Sequence, residues 1–136
     1  MPPPRLTTAV PRRVVLAALF WPGVAAAAGK SGDAPVESYV RVAALAAGVT
    51  LRGGKRGVIT VEPGVDAPDP AVMAQVQASL PRLRAAWFNV LQRYGAGLRP
   101  GAPPDADQLA RAMQRETDRV LGRPGARFLI GSVLIH

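Results

Sequence analysis

The sequence predicts an α+β domain in which a small β-sheet packs against two helices in the order ββααβ. Three patterns carry that expectation. A stretch of period-two alternation runs into a glycine-rich turn and a β-branched run. Two segments then repeat their apolar residues at helical spacing between clear start and stop signals. A final apolar, β-branched run closes the chain.

In the first strand, Ala43, Leu45, Ala47, Val49 and Leu51 alternate with Ala44, Ala46, Gly48, Thr50 and Arg52. Tyr39-Val40-Arg41-Val42 also alternates, with its apolar phase shifted by one residue, which a β-bulge would explain. The alanine content leaves a short helix near residues 40–47 as the alternative. Gly53-Gly54-Lys55-Arg56-Gly57 reads as a turn, and Val58-Ile59-Thr60-Val61 as the returning strand of a hairpin, ended by Pro63-Gly64.

Asp69-Pro70 opens the first helix, because Asp accepts from free N–H groups and Pro suits the first turn. Val72, Val76, Leu80, Leu83, Trp87, Val90 and Tyr94 follow at steps of three and four, making one continuous face with Trp87 in the core. Pro81 predicts a kink or restart near Ser79. Gly95 to Pro104 reads as a loop. Asp105 caps a second helix to about Leu121, with Leu109, Met113, Val120 and Leu121 inward and Gly122 as its stop.

Arg127 to Ile135 reads as a strand buried on both faces. It must join the hairpin, since an isolated hairpin cannot bury a helix stripe. The expected boundaries are a signal peptide over 1–28, a flexible lead-in over 29–37 and one domain over 38–136.

The leader has three zones. Met1 to Arg13 is proline-rich and basic, Val14 to Ala28 is apolar, and Ala26 and Ala28 supply the small residues of a signal-peptidase site; cleavage one residue earlier fits equally. The apolar zone is about 15 residues, roughly 22 Å as a helix against a bilayer core of about 30 Å. Pro22-Gly23 weakens it further. The expectation is an exported, periplasmic protein, the alternative an inner-membrane anchor through residues 14–28. Arg12-Arg13-Val14-Val15-Leu16 is similar to a twin-arginine export signal, although Pro11 stands where Ser or Thr is usual; adjacent arginines also occur in general secretory leaders.

The chain of 136 residues has no cysteine, which excludes disulfides, thiolate metal sites and a Cys nucleophile. Its 17 basic and 9 acidic residues give +8; three of the basic residues, Arg5, Arg12 and Arg13, leave with the leader, for a mature charge of +5. That balance suits an acidic partner, anionic lipid or envelope polymer, and equally plain solubility.

Few residues offer chemistry. Gly29-Lys30-Ser31 ends like a phosphate-binding loop, but Val24 occupies the position of the motif's first glycine. Gly53-Gly54-Lys55 lacks the following hydroxyl residue. His136 is the sole histidine, and Asp105 and Asp107 sit where carboxylates complement a helix dipole. The expectation is therefore no enzyme, no cofactor and no metal. Arg111, Arg115 and Arg119, four apart, form one stripe on the second helix. The plainer account is a solvated face helped by Asp107 and Glu116; the sharper one is a docking strip for an acidic partner. Nucleic acid is not expected, for want of stacking aromatics and a binding motif.

Leu80-Pro81-Arg82-Leu83-Arg84, followed by Trp87-Phe88 and Val90-Leu91, resembles the first helix of the flagellar basal-body protein FliL family. Thr117-Asp118-Arg119-Val120-Leu121 stands where that family has an Asn-x-x-Leu segment. Phe128 to His136 stands in place of its closing strand, and the resemblance spans roughly Tyr39 to His136. It implies a stomatin/prohibitin-like fold and a non-catalytic periplasmic domain that packs with itself or with flagellar motor components near the membrane. The departures are the cleavable leader, the absent Asn and the absent aromatics of the last strand. A second expectation, different in class, is a small periplasmic binding protein holding a lipid or envelope ligand between sheet and helices.

Overall fold

The structure is a computed structural model and describes residues 37–136. Arg12, Arg13, Ala26, Ala28 and the 14–28 segment lie outside the described residues. The elements are β1 (Tyr39–Arg41), β2 (Leu45–Thr50), β3 (Arg56–Asp66), α1 (Pro70–Gly97), α2 (Ala106–Leu121) and β4 (Arg127–Ile135). The class is α+β, as expected, with four antiparallel strands and two helices.

β3 is the middle of the sheet. β1 and β2 follow one another along one edge and β4 lies along the other. The phase shift read in the first strand is a bulge. Arg41 faces Gly64 but Leu45 faces Val61, so Val42, Ala43 and Ala44 span the length of Glu62 and Pro63. Val42 and Leu45 are both buried while Ala43 and Ala44 between them are exposed, which restores the apolar phase. The helical alternative at 40–47 is not formed.

Pro63-Gly64 does not end the second strand, contrary to the sequence reading; β3 continues to Asp66. Both neighbouring strands carry an extra residue beside this point, for Val61 faces Val133 while Pro63 faces Ile130. Pro63 therefore sits between two bulges, where its missing N–H costs no ladder bond, and its carbonyl accepts the Val42 N–H at 3.0 Å. Tyr39 lies across Gly64, so close that a Cβ there would meet the ring.

Asp69 caps α1 through the Ala71 N–H, and Asp105 caps α2 through the Gln108 N–H, both at 2.9 Å. α2 stops at Gly122, whose φ of 69° is the left-handed conformation expected of a helix-ending glycine. Of the kink or restart predicted near Ser79, the restart does not occur. α1 runs unbroken through it, with Pro81 on the exposed side, and extends to Gly97 rather than stopping before Gly95. Val72, Val76, Leu83, Trp87 and Val90 are buried as the spacing predicts, and Leu80 and Tyr94 half-buried. Met73, Ala86 and Leu91 widen the buried face.

Both helices cover one face of the sheet. Ile59, Val61, Leu83, Trp87, Leu91, Leu109 and Met113 are fully buried in the layer between, so that space is filled by side chains. The reading of β4 as buried on both faces is corrected. Phe128 is its one buried residue, and Leu134 is 58% exposed. β4 is an edge strand whose outer face no second layer covers among the described residues. Its composition came from pairing and from packing on one side.

Candidate functional site

The predicted arginine stripe lies on the exposed side of α2. Arg119 is taken up locally: its Nε donates to Glu116 Oε2 at 2.8 Å. That exposed pair contributes at most about 1 kcal/mol. Arg111 and Arg115 are exposed and face no carboxylate within ion-pairing distance among the described residues. Asp107, expected to help the stripe, makes no ion pair with it there. Arg115 and Arg93 of α1 line one interhelical cleft of about 400 Å³, together with Tyr94, Gln108 and Glu116. The structure thus splits the stripe: Arg119 is neutralised, while Arg115 joins a residue from the other helix.

A second concentration of charge lies at the end of the domain holding the hairpin tip. Arg52 and Lys55 come from the β2–β3 turn, Arg56 from the start of β3, and Arg93 and Arg99 from the end of α1 and the loop after it. The loop is fixed to the turn, since Gly101 approaches Arg52 so closely that a Cβ would lie 3.0 Å from the Arg52 side chain. The Tyr94 hydroxyl accepts the Asp105 N–H at 2.6 Å, which ties α1 to the start of α2. Between turn and loop is an apolar slot of about 280 Å³ lined by Val49, Leu51, Leu98, Pro103, Pro104 and Ile135. These residues are distant in sequence, so no local pattern announces the slot.

The acidic residues mostly have structural tasks. Asp69 and Asp105 are helix caps, Asp118 accepts from Gln114, Glu62 pairs with Arg41 at 3.5 Å and Glu116 with Arg119. His136 exchanges backbone hydrogen bonds with Val58 at the end of the sheet. The buried polar network was not read from the sequence. Trp87 Nε1 donates to Thr117 Oγ1 at 3.0 Å, and Thr117 Oγ1 donates to the Met113 carbonyl at 2.8 Å. Among the described residues, every buried side-chain nitrogen and oxygen is hydrogen-bonded. No group of three metal-ligating side chains occurs among them, and no helix there is long and apolar enough to cross a membrane.

The remaining surface feature is the outer face of the sheet and its β4 edge. Tyr39, Val58 and Leu134 are three of the four large apolar residues that stand exposed. All three lie on this outer face, with Leu129 half-buried beside Gly64. A groove of about 480 Å³ follows the β4 edge, walled on the helix side by Pro104, Ala106, Asp107 and Ala110.

No protein-family model matches the chain, and no curated protein matches it.

Proposed function

We propose that this chain is a non-catalytic interaction domain of the bacterial cell envelope, of FliL type, which works by packing with itself or with a membrane-embedded partner. The carrying observation is that, among the described residues, no layer covers the sheet's outer face and no strand pairs with the far side of β4, which only Gln114 hydrogen-bonds, near its start. A nine-residue apolar edge strand is a template for another chain, and folds that do not use such an edge usually blunt it with Lys, Pro or a covering segment. The use of four of the eight described acidic residues as caps or ion-pair partners supports a binding rather than a chemical role. The basic, apolar and small-residue zones of the leader support export and a periplasmic domain. The resemblance of residues 80–91 and 117–136 to FliL points to the flagellar stator as the partner.

Deletion of the gene tests the motor role. The expected result is a change in swimming speed or in motor torque under load, restored by the full chain. Unchanged motility in a flagellated host would end the stator reading. Fractionation tests the export reading, with the product expected in the periplasm at the mass left by cleavage near Ala28.

A second reading has one observation in its favour. The apolar slot beside Arg52 and Arg99 suits an anionic amphiphile, and a periplasmic lipid-binding role would use it. Its volume of about 280 Å³ lies below the roughly 300–1,000 Å³ of enclosing ligand pockets, which places this reading second. A ligand retained in native mass spectrometry of the purified chain would reverse the order.

A further inference from the structure

The two edges of the sheet are guarded unequally. The β1/β2 edge is broken by the Val42–Ala44 bulge, and Arg84 of α1 donates to the Ala43 carbonyl there at 3.3 Å. The β4 edge also carries a bulge, at Gly131-Ser132, but runs nine residues with no Lys and no Pro, and among the described residues only Gln114 donates to or accepts from its outer side.

The hydrogen-bond phase of β4 follows from its end. Val58 and His136 exchange both backbone bonds, so Thr60 and Leu134 form the next such pair, and Val133 and Ile135 turn their backbone groups away from β3. Beyond the bulge at Gly131-Ser132 the outward residues become Ile130 and Phe128. Gln114 of α2 confirms the phase, because its Oε1 takes the outward Phe128 N–H at 2.7 Å. Ile130, Val133 and Ile135 have no such partner on that side among the described residues.

The bulge also makes the strand self-complementary. Phe128, Ile130, Val133 and Ile135 face the helices; Leu129 and Leu134 face outward. About the midpoint between Gly131 and Ser132, Ile130 mirrors Val133, Phe128 mirrors Ile135, Leu129 mirrors Leu134 and Arg127 mirrors His136. Without a bulge, residues mirrored about a point between two neighbours would fall on opposite faces. With it, helix-side residues meet helix-side residues and outer meet outer; the free backbone groups of Ile130 and Val133 meet one another, while Ile135 meets Phe128, whose carbonyl faces it and whose N–H Gln114 must release to complete that pair. Antiparallel pairing also sets the two Arg127 side chains at opposite ends, away from each other.

We infer that β4 pairs antiparallel with β4 of a second copy of this chain about a two-fold axis at Gly131-Ser132, forming one continuous sheet across the dimer. This rests on the reading of the protein as an interaction domain and names the partner. The groove walled by the small residues Ala106 and Ala110 leaves room for the second strand. Val133 and Ile135 of the second copy lie along that wall. Such an isologous contact closes at two copies and builds no ring. An edge contact of this length buries less than the roughly 1,200–2,000 Å² of a stable complex, so the dimer is concentration-dependent.

The pairing sets Leu129 opposite Leu134 of the second copy as a non-hydrogen-bonded pair, where Cα atoms lie about 4.5 Å apart and a disulfide fits. Because the chain has no cysteine, single variants are clean probes. Leu129→Cys alone and Leu134→Cys alone, in the full chain under mild oxidation, are expected to stay unlinked. Their mixture is expected to give a covalent dimer. Linkage within either single variant, or none in the mixture, overturns the register. Leu129→Lys/Leu134→Lys places like charges opposite twice and is expected to weaken association about tenfold or more in sedimentation, while Leu129→Asp/Leu134→Lys retains it. A wild-type chain that sediments as a monomer at hundreds of micromolar overturns the dimer outright. Motility phenotypes in the deletion strain would survive that result, so the two readings fail separately.

Discussion

Thr117→Val removes one oxygen from the middle of the domain and changes the volume little. Thr117 is fully buried, and its hydroxyl both accepts from the Trp87 indole and donates to the Met113 carbonyl. The carbonyl keeps its helical bond from the Thr117 N–H, so the loss falls on the indole N–H, which stays buried with no acceptor. Leaving such a group unpaired costs about 1–3 kcal/mol. For a domain near 100 residues each kcal/mol shifts the melting temperature by roughly 4–8 °C, so a central value of about 2 kcal/mol predicts a fall of roughly 8–16 °C. Urea denaturation followed by far-ultraviolet circular dichroism measures it. Trp87→Phe removes the donor, so in that background Thr117→Val should cost about 1–2 kcal/mol less than alone. Loss below about 0.5 kcal/mol in the single variant, or strict additivity in the double, would refute the claim that this bond holds α1 to α2.

Gly95 and Gly97 test the helix–sheet approach by sign. A Cβ on Gly95 would lie 2.6 Å from the Gly48 carbonyl oxygen, so Gly95→Ala is expected to destabilise by about 1–3 kcal/mol despite better helix propensity. Gly97→Ala meets nothing within 4 Å and is expected to stabilise by a few tenths to about 1 kcal/mol in the same denaturation assay. Pro81→Ala restores an N–H to the middle of α1 on its exposed side and should raise stability by about 1–3 kcal/mol; a neutral result would mean the helix has already absorbed the missing bond. Reversing Arg111, Arg115 and Arg119 to Glu should leave folding near wild type, since all three are exposed, and should abolish pull-down of an acidic partner if the stripe is a docking strip. Unchanged pull-down assigns the stripe to solvation alone.

The sequence by itself determined what depends on neighbours a few residues away. Asp69 and Asp105 as caps, Gly122 as a stop, the Val72-to-Val90 face and the Leu45-to-Val49 alternation were legible because each is set by backbone sterics or by a short period. The bulge before Leu45 was legible for the same reason, as a slip in that period. Tertiary structure decided the features that need a partner from elsewhere in the chain. Pro63 looked like a strand end because its fault is local; only the extra residues in β1/β2 and β4 beside it let β3 pass through to Asp66. Thr117 read as an ordinary helical residue until Trp87, 30 positions away, reached it. The one-sided burial of β4 turns on both helices packing on the same face of the sheet, because hydrophobic composition records how much apolar surface a strand carries and not which face another layer will cover.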